Sequence, residues 1–152
     1  MAKVVESIEI SRRPEDVFSY VADASHHPEW IGSVVSAHRE DDGPLAVGSK
    51  VLATRRVGLW KVRITERMDE LHPPRTWANH GVGGIPVIAF ANGAIEPLDD
   101  GKRSRVTISC EFQGRGIGKL LVPFLSRRLA KLLPRDEQKL KELLERDVHA
   151  QG

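Results

Sequence analysis

Residues able to do chemistry are sparse in this chain. His26, His27 and Glu29 lie together in ASHHPEWIGSV (24–34), a stretch without a clear helix or strand period. Adjacent histidines on extended backbone point apart, and nothing nearby supplies a full ligand set, so no metal site is expected. His38, His72, His80 and His149 stand singly, with no i, i+4 pair. Cys110 is the only cysteine. It forms no disulfide within the chain and has no assigned histidine partner for nucleophilic catalysis, so it reads as a small buried residue. GRGIGKL (114–120) approaches a phosphate loop, but the pattern needs Gly where Gln113 stands and Ser or Thr where Leu120 stands. Its glycines read instead as a strand-to-helix link. Any acid or base would have to be assembled by the fold.

The elements that would do the assembling are more legible. Residues 3–11, rich in Val and Ile, form a first strand. Pro14, Glu15 and Asp16 then open a short helix running to about Ala22, with Val17, Phe18 and Val21 at helical spacing. Ser25 is placed to cap a second short turn. Pro28 is expected to push His27 out of the α region and to aim Trp30 at the core or a cavity mouth, leaving both histidines exposed. Strands follow at 34–40, 47–56 and 59–70. In the last, Trp60, Val62, Ile64 and Met68 share an apolar face against Lys61, Arg63, Thr65, Arg67 and Asp69. RTWANH (75–80) is a short strand, GVGG (81–84) a flexible link, and residues 85–96 and 102–113 flank the turn DDG at 99–101. Period 2 over these segments predicts one antiparallel sheet of about seven strands. From Leu121 to Leu144 the leucines fall on one helical stripe, with a kink or break expected near Leu133 because Pro134 interrupts it.

With 152 residues, 40% hydrophobic and 29% charged, the chain suits a single domain spanning 1–152. No apolar run is long enough to span a membrane, and the start MAKVVESIEI lacks the core of a secretory signal, so a cytoplasmic protein is expected. A net charge of +2 argues against a nucleic-acid partner, and the pairs Arg12/Arg13, Arg55/Arg56 and Arg127/Arg128 read as solvated faces.

The order strand, two short helices, about six strands and one long C-terminal helix resembles the helix-grip fold of the START-like (SRPBCC) superfamily, and within it the polyketide cyclase/dehydrase-like group. The resemblance rests on RRPEDVFSYVADASHHPEWIGSV, VGSKV, ITERMDELHPPRTWA, IEPLDDGKRSRVTISCEFQG and GIGKLLVPFL, which together cover essentially the whole chain. It implies an α+β fold in which a curved antiparallel sheet wraps around the C-terminal helix and encloses a cavity for a hydrophobic or amphipathic small molecule.

By that resemblance, Trp60, Val62, Ile64, Ile108 and Phe112 would line the cavity and Leu121, Phe124 and Leu125 would close it. Trp30, Trp77 and Phe90 add aromatic surface, and Tyr20 and His80, with Arg63 behind them, could supply polar groups. The expected function is binding of a lipid, polyketide or similar metabolite, with no cofactor. The alternatives are a cyclase/aromatase-like enzyme, in which His80 or Tyr20 moves a proton, and a protein-interaction module. A homodimer is compatible with the exposed face of the last helix.

Overall fold

The computed structural model describes residues 3–83 and 86–151, with side chains described as far as residue 146. Gly84 and Ile85 of the expected link and strand, and the side chain of His149, lie outside the described residues. The elements are β1 (Lys3–Ile10), α1 (Pro14–Val21), a 3-10 turn (Ala24–His26), α2 (His27–Trp30), β2 (Val34–Arg39), β3 (Lys50–Val57), β4 (Trp60–His72), β5 (Thr76–Gly83), β6 (Val87–Leu98), β7 (Arg103–Gly114), a second 3-10 turn (Gly116–Leu120) and α3 (Val122–Gln151). The strands form one antiparallel seven-stranded sheet in the order β1-β7-β6-β5-β4-β3-β2. The seven antiparallel strands are those expected from the periodicities, and the curved sheet around a long C-terminal helix is the one that the resemblance implied.

Register decides which side chains face α3. Val106, Ile108 and Cys110 of β7 stand opposite Ile95, Gly93 and Ala91 of β6, and opposite Ile8, Glu6 and Val4 of β1. The inner face meets Leu133, Leu140 and Leu144 of α3, together with Val17, Phe18 and Val21 of α1, to form the core. Burying such apolar surface yields roughly 25 cal/mol per Å² and holds the helix in the grip of the sheet.

Several local expectations are corrected. Asp23, not Ser25, caps the first 3-10 turn, its carboxylate accepting from the Ser25 backbone N–H at 3.0 Å. His27 has φ −52° and ψ −38° and belongs to α2, so Pro28 stands inside the first turn of that helix, where its missing N–H costs nothing. Gly81 and Gly83 belong to β5 rather than to a flexible link. α3 passes through Pro134 without a break. A proline at that depth removes one helical hydrogen bond. Both halves are held to the same core, by Leu133 before it and by Leu140 and Leu144 after it.

The segment GRGIGKL is a packing device. Gly116 has φ +53°, and a Cβ on Gly118 would overlap the carbonyl of Pro86. The chain therefore needs glycine here to bring the end of β7 against the start of β6 before α3 begins.

Candidate functional site

Between the inner face of the sheet and α3 lies a cavity of about 180 Å³. Its position follows from residue size. Gly81 and Gly83 of β5 and Ala89 and Ala91 of β6 are cavity-lining residues, and the register pairs Gly81 with Ala89 and Asn79 with Ala91. Small side chains at the centre of the inner face leave space that larger residues of α3 do not fill. The space also cannot be reached by β5 itself, since a Cβ on Gly81 would come within 2.9 Å of Ile64 Cγ2.

Apolar walls come from Trp30, Ile64, Trp77, Ile108, Phe112 and Leu125, all expected site residues, and from Leu129, Leu132 and Leu133. Trp30 is only 4% exposed, so it belongs both to the core and to the cavity wall. Phe90 lies between the inward Ala89 and Ala91, and its half-exposed ring stands 6.0 Å from that of His80, its register partner, on the outer face.

The remaining expected residues lie elsewhere. Tyr20 donates to Glu29 Oε2 at 3.0 Å and stacks on His26. His80 pairs with Asp69 at 2.7 Å, on the register opposite to the inward Asn79 and Gly81. Trp60 is 75% exposed, because its end of β4 projects beyond the part of the sheet that α3 covers. Leu121 and Phe124 are exposed at the start of α3, Val62 is half-buried without reaching the cavity, and Arg63 is exposed as its register requires.

One end of the cavity is polar, and His27, Glu66 and Arg55, which build it, were not among the residues expected to line the site. His27 and Glu66 are both buried, with His27 Nδ1 3.5 Å from Glu66 Oε2, and Arg55 donates to Glu66 Oε1 at 3.2 Å. His27 is thus buried where exposure was expected, and Arg55 is half-buried against Glu66 where a solvated face was expected. The Trp30 ring meets the His27 ring edge-on at 5.6 Å. Asn79, Cys110 and Asp136 complete this end, and Asp136 Oδ1 accepts from the Gly32 backbone N–H at 3.2 Å.

The electrostatics follow from burial. Loss of water pushes His27 down to about 4, against the opposing pull of Glu66, so the imidazole is neutral near neutrality. Burial alone would raise Glu66, but His27 beside it and the charge and hydrogen bond of Arg55 hold it below the usual carboxylate range. With His27 neutral, Arg55 is the counter-charge that keeps Glu66 ionised. Burial pushes the Cys110 thiol up to about 11, which leaves it a poor nucleophile. Burial also raises Asp136. Among the described residues no three His, Cys, Asp or Glu side chains group as a metal site would require. His27 Nδ1, Glu66 Oε2 and Trp30 Nε1 are buried and make no hydrogen bond to a described residue. A neutral imidazole, a carboxylate and an indole N–H on one cavity wall could hold a hydroxyl or a carbonyl, or accept a proton from the hydroxyl.

A sheet gripping a long helix around a largely apolar cavity is a START-like, helix-grip fold. The chain matches the family described as polyketide cyclase / dehydrase and lipid transport over residues 1–145, and it belongs to that family. It is similar in fold to the Zhui aromatase/cyclase from Streptomyces sp. R1128, at 19% identity over 99% of this chain and 98% of that one, with a TM-score of 0.76. A START superfamily protein from Mycobacterium smegmatis aligns over 95% of this chain and 97% of its own at 13% identity and a TM-score of 0.74. The di-domain ARO/CYC BexL from the BE-7585A biosynthetic pathway aligns at 17% identity and a TM-score of 0.73 over 95% of this chain, which spans about half, 47%, of that protein. No curated protein matches. Among the described residues no helix is long and apolar enough to cross a membrane.

Proposed function

We propose that the protein binds a small hydrophobic or amphipathic molecule, a lipid, polyketide or similar metabolite, in the cavity between sheet and α3. The carrying observation is the cavity itself, with walls built from Ile64, Ile108, Phe112 and Leu125 and a buried polar group at His27, Glu66 and Arg55. Apolar burial supplies affinity, and the few polar groups orient the ligand. Binding of this kind needs no cofactor and no nucleic acid, and the reading takes the protein as cytoplasmic. Native mass spectrometry of freshly purified protein tests it. The expected result is a co-purifying apolar molecule that leaves on denaturation. Failure of the protein to take up any apolar ligand, purified or added, would sink the proposal.

A second reading, cyclase-like catalysis, is favoured by one observation. A neutral imidazole 3.5 Å from a buried carboxylate stands at the cavity wall, where the carboxylate can stabilise the imidazolium that forms when a substrate proton is taken up. Cyclisation or dehydration of a short poly-β-ketone that disappears in His27→Ala while ligand binding persists would support it. Ligand uptake without turnover leaves the binding reading alone.

A further inference from the structure

The two ends of the sheet differ in a way that the net charge of +2 conceals. Residues 55–65 contain four basic residues and no acidic one, residues 113–135 contain six basic and no acidic, and residues 81–94 carry no charge. Register brings these segments together. Val57 pairs with Trp60 at the β3–β4 tip, Ile64 pairs with Gly83 at the end of β5, and Val87 pairs with Gly114 where β7 leaves the sheet. The Arg115 backbone N–H donates to the Pro86 carbonyl at 2.9 Å, which fixes the 3-10 turn at the same end. Arg56, Val57, Gly83, Val87 and Leu125 also line the cavity, so this is the end toward which the cavity extends.

Here large apolar side chains stand in solvent: Leu59 at 102%, Trp60 at 75%, Ile117 at 74%, Leu120 at 77% and Phe124 at 52% exposure. Around them Arg56, Lys61, Arg63, Arg115, Lys119 and Arg127 are exposed, and none forms an ion pair with a described residue. The opposite end holds the acidic turns. There Asp41 is paired with Arg39 and Asp99 with Arg103.

We infer that this end is a docking surface for the face of an anionic lipid bilayer, with the cavity end turned toward the membrane. Charge complementarity selects a negative partner, since six cations without an ion-pair partner among the described residues surround the apolar group, while the acidic turns at 41–42 and 99–100 are at the far pole. The apolar residues select a fluid hydrocarbon boundary. They project from a hairpin tip and a helical turn, with Leu59 fully exposed, instead of lining a groove that a rigid partner would fill. Leucine, isoleucine and tryptophan side chains enter the headgroup boundary favourably, and Lys and Arg stems reach back to phosphates. No crossing helix exists among the described residues, so the association is peripheral. The inference is independent of what the cavity holds.

Trp60 provides the readout, because the other two tryptophans, Trp30 and Trp77, are only 4% and 5% exposed. The test mixes the full chain with vesicles of phosphatidylcholine alone or of phosphatidylcholine with phosphatidylserine, and follows sedimentation and tryptophan emission. The expected result is a blue shift and co-sedimentation with the anionic vesicles only, both reduced by high salt. Each basic residue near the surface contributes about fivefold, so Arg115→Glu with Lys119→Glu weakens binding by at least about tenfold. Leu59→Ser with Trp60→Ser abolishes stable sedimentation, whereas Asp41→Asn with Asp42→Asn at the far pole does not reduce it. Circular dichroism confirms that each variant is folded. No partition to anionic vesicles, equal binding to neutral ones, or binding to DNA or an acidic protein without any Trp60 shift would overturn the inference.

Discussion

His27 Nδ1 stands 3.5 Å from Glu66 Oε2, and both side chains are closed off from water at the polar end of the cavity. The pair is not a simple salt bridge, because burial keeps the imidazole neutral down to about pH 4. Unfolding returns His27 to its ordinary value of 6.5, so between 6.5 and 4 the unfolded chain binds the extra proton. Stability contributed by neutral His27 is therefore complete above pH 6.5 and is lost as the pH falls toward 4. The shift bounds this contribution at roughly 3 kcal/mol. Replacing His27 by Gln should flatten the pH dependence of Tm in that window relative to the parent, which calorimetry at a series of pH values checks. An unchanged slope would show that His27 is protonated in the fold.

Arg55 and Glu66 make a different prediction. Because Arg55 is the charge that keeps buried Glu66 ionised, Arg55→Met leaves an uncompensated carboxylate and should destabilise the protein by about 3 kcal/mol. The double variant Arg55→Met/Glu66→Leu should recover most of that loss, since it removes both charges from the low-dielectric cavity wall. Urea unfolding of the two single variants and the double one measures the coupling. Additive losses would mean that the pair does not act as a unit.

Glu137 has the opposite sign. It is 1% exposed, its Oε2 makes no hydrogen bond to a described residue, and burial together with Glu6 on β1 pushes it up to about 8. The folded state therefore holds a proton that the unfolded chain releases above 4.5, and stability is lost as the pH rises toward 8. Glu137→Gln keeps the shape without the titration, so it should be more stable than the parent at pH 8 by about 1 kcal/mol or more, with the difference vanishing near pH 4. Equal Tm values for the two proteins at both pH values would contradict a protonated Glu137.

The fold was legible because it rests on period. Alternation in β4 and β7, the leucine stripe of α3 and the proline-acid opening of α1 each reflect one buried face, and the core follows those faces. The polar end of the site left a fainter trace. Glu66 sits between Ile64 and Met68 on the dry face of β4, and Arg55 sits between Ala53 and Val57 on the dry face of β3. Each is a charge in an apolar register, but only strand pairing brings the two together. His27 was obscured by Pro28, whose effect on the preceding residue suggests extended backbone. In fact one helical turn places His27 and Trp30 on the same side. Trp60 shows the converse, since correct parity does not bury a residue beyond the edge of the helix that covers the sheet.

Trp77 and Gly93 are register partners, and a Cβ on Gly93 would overlap the indole ring. Trp77 also meets Phe18 edge-on at 5.8 Å, so the ring cannot retreat without disturbing α1. Gly93→Ala should therefore destabilise by roughly 1–3 kcal/mol, the usual cost of overpacking. Trp77→Leu in the same chain relieves the clash, so the second substitution should cost less in Gly93→Ala than in the parent. Denaturant midpoints of the four proteins decide this, and full additivity would show that the ring moves freely.

Ala91 offers the sharpest test of whether the cavity is a binding site. It faces inward beside Cys110 and opposite Asn79, at the small-residue patch that creates the space. Ala91→Leu inserts three carbons into a volume of about 180 Å³ without disturbing the outer face. Filling a void adds buried apolar contacts, so the variant should unfold at a temperature equal to or above that of the parent. Occupying the space excludes a ligand, so affinity for a fluorescent hydrophobic dye should fall at least about tenfold, a loss of roughly 1.4 kcal/mol. Phe112→Ala, which enlarges the same cavity, should instead lower stability by about 3 kcal/mol while still admitting the dye. Dye titration alongside thermal unfolding separates the two effects. Unchanged dye affinity in a stable Ala91→Leu protein would place the binding of apolar molecules on the exterior.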